Sequence, residues 1–200
     1  MAVNLQKGQK ISLTKENPGL KHVMVGLGWD EAPKSGGFFG SLFGGGNQNI
    51  DCDASAILLS EGGKLADTKD VIYFGNLSHS TNTVKHMGDN LTGAGDGDDE
   101  QILVDLAGIP QNYSKIVFVV NIYEAAARNQ NFGMIKNAFI RLVDSDKKTE
   151  ICRYNLSENY EGMTAMIFGE MYRHDGEWKF SAIGQGTRDD SIKELAQKYR

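Results

Sequence analysis

Between Lys85 and Lys115 the chain carries no lysine or arginine, yet it holds Asp89, Asp96, Asp98, Asp99, Glu100 and Asp105. Most of these acids crowd into Gly95-Asp96-Gly97-Asp98-Asp99-Glu100. Like charges held this close repel one another in an ordered segment, and no base in the neighbouring sequence offsets them. A hard cation suits this spacing. Calcium takes roughly six to eight oxygens from carboxylates, carbonyls and water, and tolerates irregular geometry. Glycines at 88, 93, 95 and 97 let the backbone coil tightly enough to aim such oxygens inward. Magnesium, which keeps its waters, and zinc, which wants Cys and His, fit less well. Asp89 to Glu100 spans the twelve positions of an EF-hand loop, but Leu91, Gly93 and Gly97 stand where that loop needs side-chain oxygens, and Ala94 replaces its glycine.

Further acids stand where strands begin or end. Asp51 and Asp53 flank Cys52, and in a strand they point to one side while Cys52 points to the other. Asp30 follows Trp29, and Glu124 follows the apolar run Lys115–Tyr123. Each is equally readable as plain surface solvation. Nothing in the chain makes a catalytic set: there is no G-x-S-x-G elbow, no P-loop and no H-E-x-x-H. His22, His79, His86 and His174 fall in separate segments, and Ser78-His79-Ser80 reads as turn composition.

The elements that must position these acids are strands. Short segments rich in Val, Ile, Phe and Tyr alternate with turn residues at intervals of about ten, the spacing of sandwiches and barrels. The expected strands are Ile11–Thr14, His22–Trp29, Cys52–Leu59, Val71–Phe74, Gln101–Leu106, Lys115–Tyr123, Ala138–Val143, Glu150–Asn155, Thr164–Tyr172 and Glu177–Ile183. Asp175-Gly176 predicts a tight hairpin turn. The run Lys115–Tyr123, apolar almost throughout, predicts a central strand covered on both faces. Helix is expected at the C-terminus, where Ser191 and Glu194 form a capping box ahead of an Ile192, Leu195, Ala196, Tyr199 stripe, and over Glu124–Asn131.

A net charge of −5 argues against a nucleic-acid partner. With no signal-peptide pattern and no apolar run long enough to span a bilayer, the expected address is cytoplasmic. Cys52 and Cys152 are then expected to be reduced, buried and inert. The expectation is one domain, residues 1–200, with a loop insertion at 32–49 that holds six glycines alongside Phe38, Phe39, Leu42 and Phe43. Its phenylalanines either fold back onto the sandwich or form a tip that touches a partner or the membrane surface.

Several motifs together resemble the TerD-type tellurium-resistance and bacterial stress proteins. They are Leu5–Lys15 with Val25-Gly26-Leu27-Gly28-Trp29-Asp30, Asp51–Ala56, Gly88–Ile102, Phe132-Gly133 with Asn137–Arg141, and Ala182-Ile183-Gly184-Gln185-Gly186. The resemblance implies an all-β, two-sheet β-sandwich with one or two short helices that binds calcium, and an association with sibling stress proteins. It draws the ligands from Asp51, Asp53, Asp89, Asn90, Asp96, Asp98, Asp99 and Glu100, with Asp30 and Glu124 as further candidates. Three functions are then weighed. The leading one is a non-enzymatic calcium-binding scaffold of the stress response. The second is a calcium-dependent hydrolase of phosphorylated or lipid substrates, which needs an open metal position and a base within reach. The third is tellurite chemistry at a cysteine thiol.

Overall fold

A computed structural model of the chain describes residues 2–31, 50–88 and 97–200. The Gly/Phe-rich insertion at 32–49 and the acidic stretch 89–96 lie outside the described residues. The described strands are β1 (Val3–Leu5), β2 (Lys10–Ser12), β3 (His22–Glu31), β4 (Cys52–Ser60), β5 (Val71–Ile72), β6 (Val84–His86), β7 (Glu100–Asp105), β8 (Tyr113–Ile122), β9 (Ile135–Asp144), β10 (Thr149–Asn155), β11 (Ala165–His174) and β12 (Glu177–Thr187). The helices are α1 (Leu13–Glu16), α2 (Ala125–Arg128) and α3 (Ile192–Gln197).

The strands form two six-stranded sheets, ordered β1-β10-β9-β3-β7-β6 and β2-β12-β11-β8-β4-β5. All pairings are antiparallel except β1, which lies parallel to β10 with Val3 opposite Cys152. The expected all-β sandwich is what the chain adopts. Its core is the alternate-residue set that each strand turns inward: Val23, Val25 and Leu27 from β3, Ile102 and Val104 from β7, and Ile116, Phe118 and Val120 from β8.

The β8 strand runs between β11 and β4 and is buried on both faces, as its continuous apolar run predicts. The second face, with Val117 and Val119, is covered by Ile192, Leu195 and Ala196 of α3. The Ser191 hydroxyl accepts from the Glu194 N–H to start that helix, and the Glu194 carboxylate reaches back to the Asp190 N–H. Asp175 and Gly176 take the positive φ values, 54° and 74°, that their hairpin requires.

Three details differ from the expectations. The strand over Ile11–Thr14 stops at Ser12, because the Ser12 hydroxyl caps α1 by accepting from the Lys15 N–H. The helix over Glu124–Asn131 is a single turn, closed by Asn129 in the left-handed region at φ 53°. The β1 and β6 strands, at three residues each, are too short to show a period in the sequence.

Phe118 is fully buried between the sheets. Phe118→Ala is expected to lower the unfolding free energy by about 3–5 kcal/mol in a denaturant titration, with an unchanged slope.

Candidate functional site

Of the acids singled out in the sequence, Asp30, Asp51, Asp53, Asp98, Asp99 and Glu100 come together at one end of the sandwich. Leu27 of β3 pairs with Glu100 of β7, so the end of β3 and the start of β7 lie side by side. The start of β4, in the other sheet, comes to the same place: the Ala54 N–H donates to Glu100 Oε2. The end of β8 closes on it from the opposite side, through the Tyr123 N–H to Asp51 carbonyl bond at 2.7 Å. Burial, reinforced by the charges of Asp53, Asp51, Glu100 and Asp99, pushes the Cys52 thiol well above its ordinary pKa. One thiol therefore senses acids from both sheets.

Within this cluster three consecutive acids do three different things. Asp98 is fully buried at its side chain and accepts from Arg141 Nε at 2.6 Å and Nη2 at 2.9 Å. The pair lies across β3 at Gly26, where a β-carbon would meet the Asp98 carboxylate at 2.2 Å; only glycine leaves the room. Arg141 also donates to Glu150, which accepts in turn from Arg153, and the Arg153 guanidinium sits 4.1 Å from the Phe139 ring centroid. Asp99 turns the other way. Its Oδ2 accepts from the Trp29 N–H at 2.7 Å, and burial, opposed by that bond but helped by the charges of Asp30 and Asp98, raises its pKa. Glu100 is buried inside, at the seam between the sheets, where its Oε2 takes the Ala54 N–H and lies 3.4 Å from His86 Nε2. The Gly88 N–H donates to His86 Nδ1 at 3.0 Å, which assigns the ring proton to Nε2 and points it at the Ala54 carbonyl, 3.2 Å away.

The other candidates are spread around these three. Asp30 is exposed at the end of β3 and accepts from Asn137 Nδ2 at 2.8 Å. Asp51 is exposed and Asp53 half-buried, and they lie on the side of β4 away from Cys52, which faces the inter-sheet core. Glu124 is exposed, sits in the left-handed region at φ 50°, and faces Arg128 at 3.6 Å. Asp89, Asn90 and Asp96 lie outside the described residues. Among the described residues no group of three or more His, Cys, Asp or Glu side chains is placed to hold a metal ion. The expectation that no base offsets the cluster fails at Asp98. Its partner, Arg141, is distant in sequence and arrives only through the pairing of β9 with β3.

The sequence reading also missed a buried polar knot. His79, assigned to a turn, is fully enclosed, with Nε2 3.2 Å from Asp70 Oδ1 and Nδ1 2.7 Å from Thr81 Oγ1. The Tyr113 hydroxyl donates to the same Asp70 oxygen at 2.9 Å. Both buried histidines thus have both ring nitrogens engaged. Both thiols are buried, and burial, reinforced by the charge of Glu150, pushes Cys152 up to about 12. Neither holds the thiolate that nucleophilic chemistry needs.

A two-sheet antiparallel sandwich that brings acids from both sheets to one end is the class of protein this defines. The chain belongs to the TerD domain family, whose model matches residues 1–199. It is similar to stress response protein SCP2 of Bacillus subtilis (strain 168), at 54% identity over all of both chains. It is similar also to tellurium resistance protein TerD of Serratia marcescens, at 49% identity over 93% of this chain and 91% of that one. Among solved structures, a protein of unknown function covers 91% of this chain and 99% of its own with a TM-score of 0.67 and 25% identity. A homologue of telluride resistance protein (TerD) from Streptomyces coelicolor A3(2) shares the fold, with a TM-score of 0.65 at 20% identity. No helix among the described residues is long and apolar enough to cross a membrane.

Arg141→Met leaves the Asp98 carboxylate enclosed without its cation, and is expected to cost about 3 kcal/mol of stability. Adding Asp98→Leu to it is expected to recover most of that loss in the same chemical-denaturation assay.

Proposed function

We propose that the chain is a non-catalytic calcium-binding module of the stress response, in which the ion fastens the acidic segment to the ends of the sheets. The observation that carries this reading is the juxtaposition of Asp99 and Asp30. Two carboxylates from adjacent strand ends, one of them partly desolvated, repel each other, and neither makes an ion pair among the described residues. Each has one carboxylate oxygen that takes no hydrogen bond among the described residues. Carboxylate oxygens suit a hard cation, so the donor set fits calcium. Asp99 and Asp30 would supply ligands, with Asp89, Asn90 and Asp96 of the same motif as further donors. Asp51, Asp53 and Glu124, which stand at the start of β4 and the end of β8, are further candidates. Asp98 and Glu100, already engaged by Arg141 and by Ala54, serve the frame that holds Asp99 in place.

The relatives, a stress response protein and a tellurium resistance protein, support a role in stress response and tellurium resistance. A hydrolase reading draws less support, because both buried histidines have both ring nitrogens engaged within the fold.

Binding of this kind stabilises by mass action, about 2.7 kcal/mol at a hundredfold excess over Kd. For a chain of this size that is a rise in thermal midpoint of about 5–10 °C. Calcium added to chelator-stripped protein is expected to produce this rise, and Asp99→Asn with Asp30→Asn to abolish it while the metal-free midpoint stays or climbs. Identical midpoints with calcium and with chelator would sink the proposal.

A further inference from the structure

The outer face of the β2–β5 sheet carries a groove that the calcium reading does not use. It has a volume of about 510 Å³ and runs between α3 and segment 65–76. Its walls are tied together by hydrogen bonds. The Leu65 N–H donates to the Tyr199 carbonyl at 2.6 Å, Lys64 Nζ to the Arg200 carbonyl at 2.9 Å, and Asn76 Nδ2 to the carbonyls of Lys69 and Val71. The floor is apolar: Leu65, Val71, Tyr73, Ile192 and Ala196. Beyond Tyr73 the apolar surface continues to Phe74 and Leu77, which are 50% and 47% exposed.

The rim is basic. Lys69, Lys193 and Arg200 line the groove, all three exposed, and none makes an ion pair among the described residues. The carboxylate facing them is Asp67, whose pKa is held down by the Lys69 backbone N–H and by the charges of Lys69 and Arg200. Three cations against one carboxylate is a local positive excess in a chain of net charge −5. The groove lies within the roughly 300–1,000 Å³ range of small-molecule sites, and an apolar trough with a few convergent polar groups is the usual form of such a site.

We propose that this groove binds a single-chain anionic amphiphile. An acidic headgroup would sit among Lys69, Lys193 and Arg200, and an alkyl tail would lie along Leu65, Val71, Tyr73 and Ala196 toward Phe74. The charge specifies an anion over a neutral or cationic head, and the apolar floor specifies a tail over a free inorganic anion. Binding here draws on no residue of the acidic end and stands or falls apart from calcium.

The test is calorimetric titration of the full chain with dodecanoate below its micellar concentration. Dodecyl maltoside serves as the neutral-headed control and inorganic phosphate as the tail-less one. Saturable one-to-one binding of dodecanoate is expected, at least tenfold tighter than either control and weakened by added salt. Lys193→Glu with Arg200→Glu reverses the rim and is expected to cost tenfold or more. Gln197→Trp, at an exposed helix position on the groove wall, is expected to block binding without disturbing the thermal midpoint. Failure of dodecanoate to saturate overturns the proposal, as does equal affinity in the wild-type and altered chains. Capture only by phosphatidylglycerol vesicles, with no binding of monomeric dodecanoate, also overturns it and assigns the surface to a bilayer.

Discussion

The carboxylate of Glu100 is the constraint on which the acidic end depends. A buried carboxylate is tolerated only when hydrogen-bonded, and Glu100 meets this need across the sandwich. It starts β7 in one sheet and takes the N–H of Ala54 on β4 in the other. The His86 imidazole closes the same corner through the Ala54 carbonyl. Apolar packing elsewhere sets how far apart the sheets lie, but it is directionless. The Glu100 contact fixes register as well, so that the ends of β3 and β7 face the start of β4. With that corner fixed, Asp99 has one direction left to point, and it meets Asp30 there.

The neighbouring acids then acquire separate meanings. Asp98 crosses Gly26 to reach Arg141 and begins an ionic chain over the outer face of its sheet, through Glu150 to Arg153. That chain holds the base of the acidic segment from outside, while Glu100 holds it from within. Asp99, between them, accepts only a backbone N–H, that of Trp29, among the described residues. A motif that looks uniform in sequence is thus two anchors and one half-buried charge, and that charge is held in place because the anchors are made.

Much of this was legible in the sequence, and the reasons are particular. The alternation of Val23, Val25 and Leu27 and the unbroken run Ile116–Val120 state their burial in the residue types themselves, so the strands followed, while the two-sheet arrangement was an implication of the resemblance. The Ser191 cap and the Asp175-Gly176 turn are local chemistry and were readable for the same reason. The roles of Asp98 and Glu100 were not. Their partners, Arg141 and Ala54, are remote along the chain and meet them only through strand pairing. Density of charge could show that the acids need compensation, but not which of them already have it. His79 was misread on the same ground, since nothing near it in sequence announces Asp70 and Tyr113. The strand at Ile11–Thr14 was overdrawn because a capping serine and a strand serine look alike until the chain turns.

The outermost members of both sheets, β1 and β6 in one, β2 and β5 in the other, are the shortest strands described, at three, three, three and two residues. Unpaired backbone along a sheet border is what lets a foreign strand add on and seed aggregates. Here each border offers a ladder too brief to hold a newcomer in register. Such a sandwich gives a misfolded neighbour little backbone to template on. Along the described borders, contact with another chain falls to side chains, with little backbone left to pair.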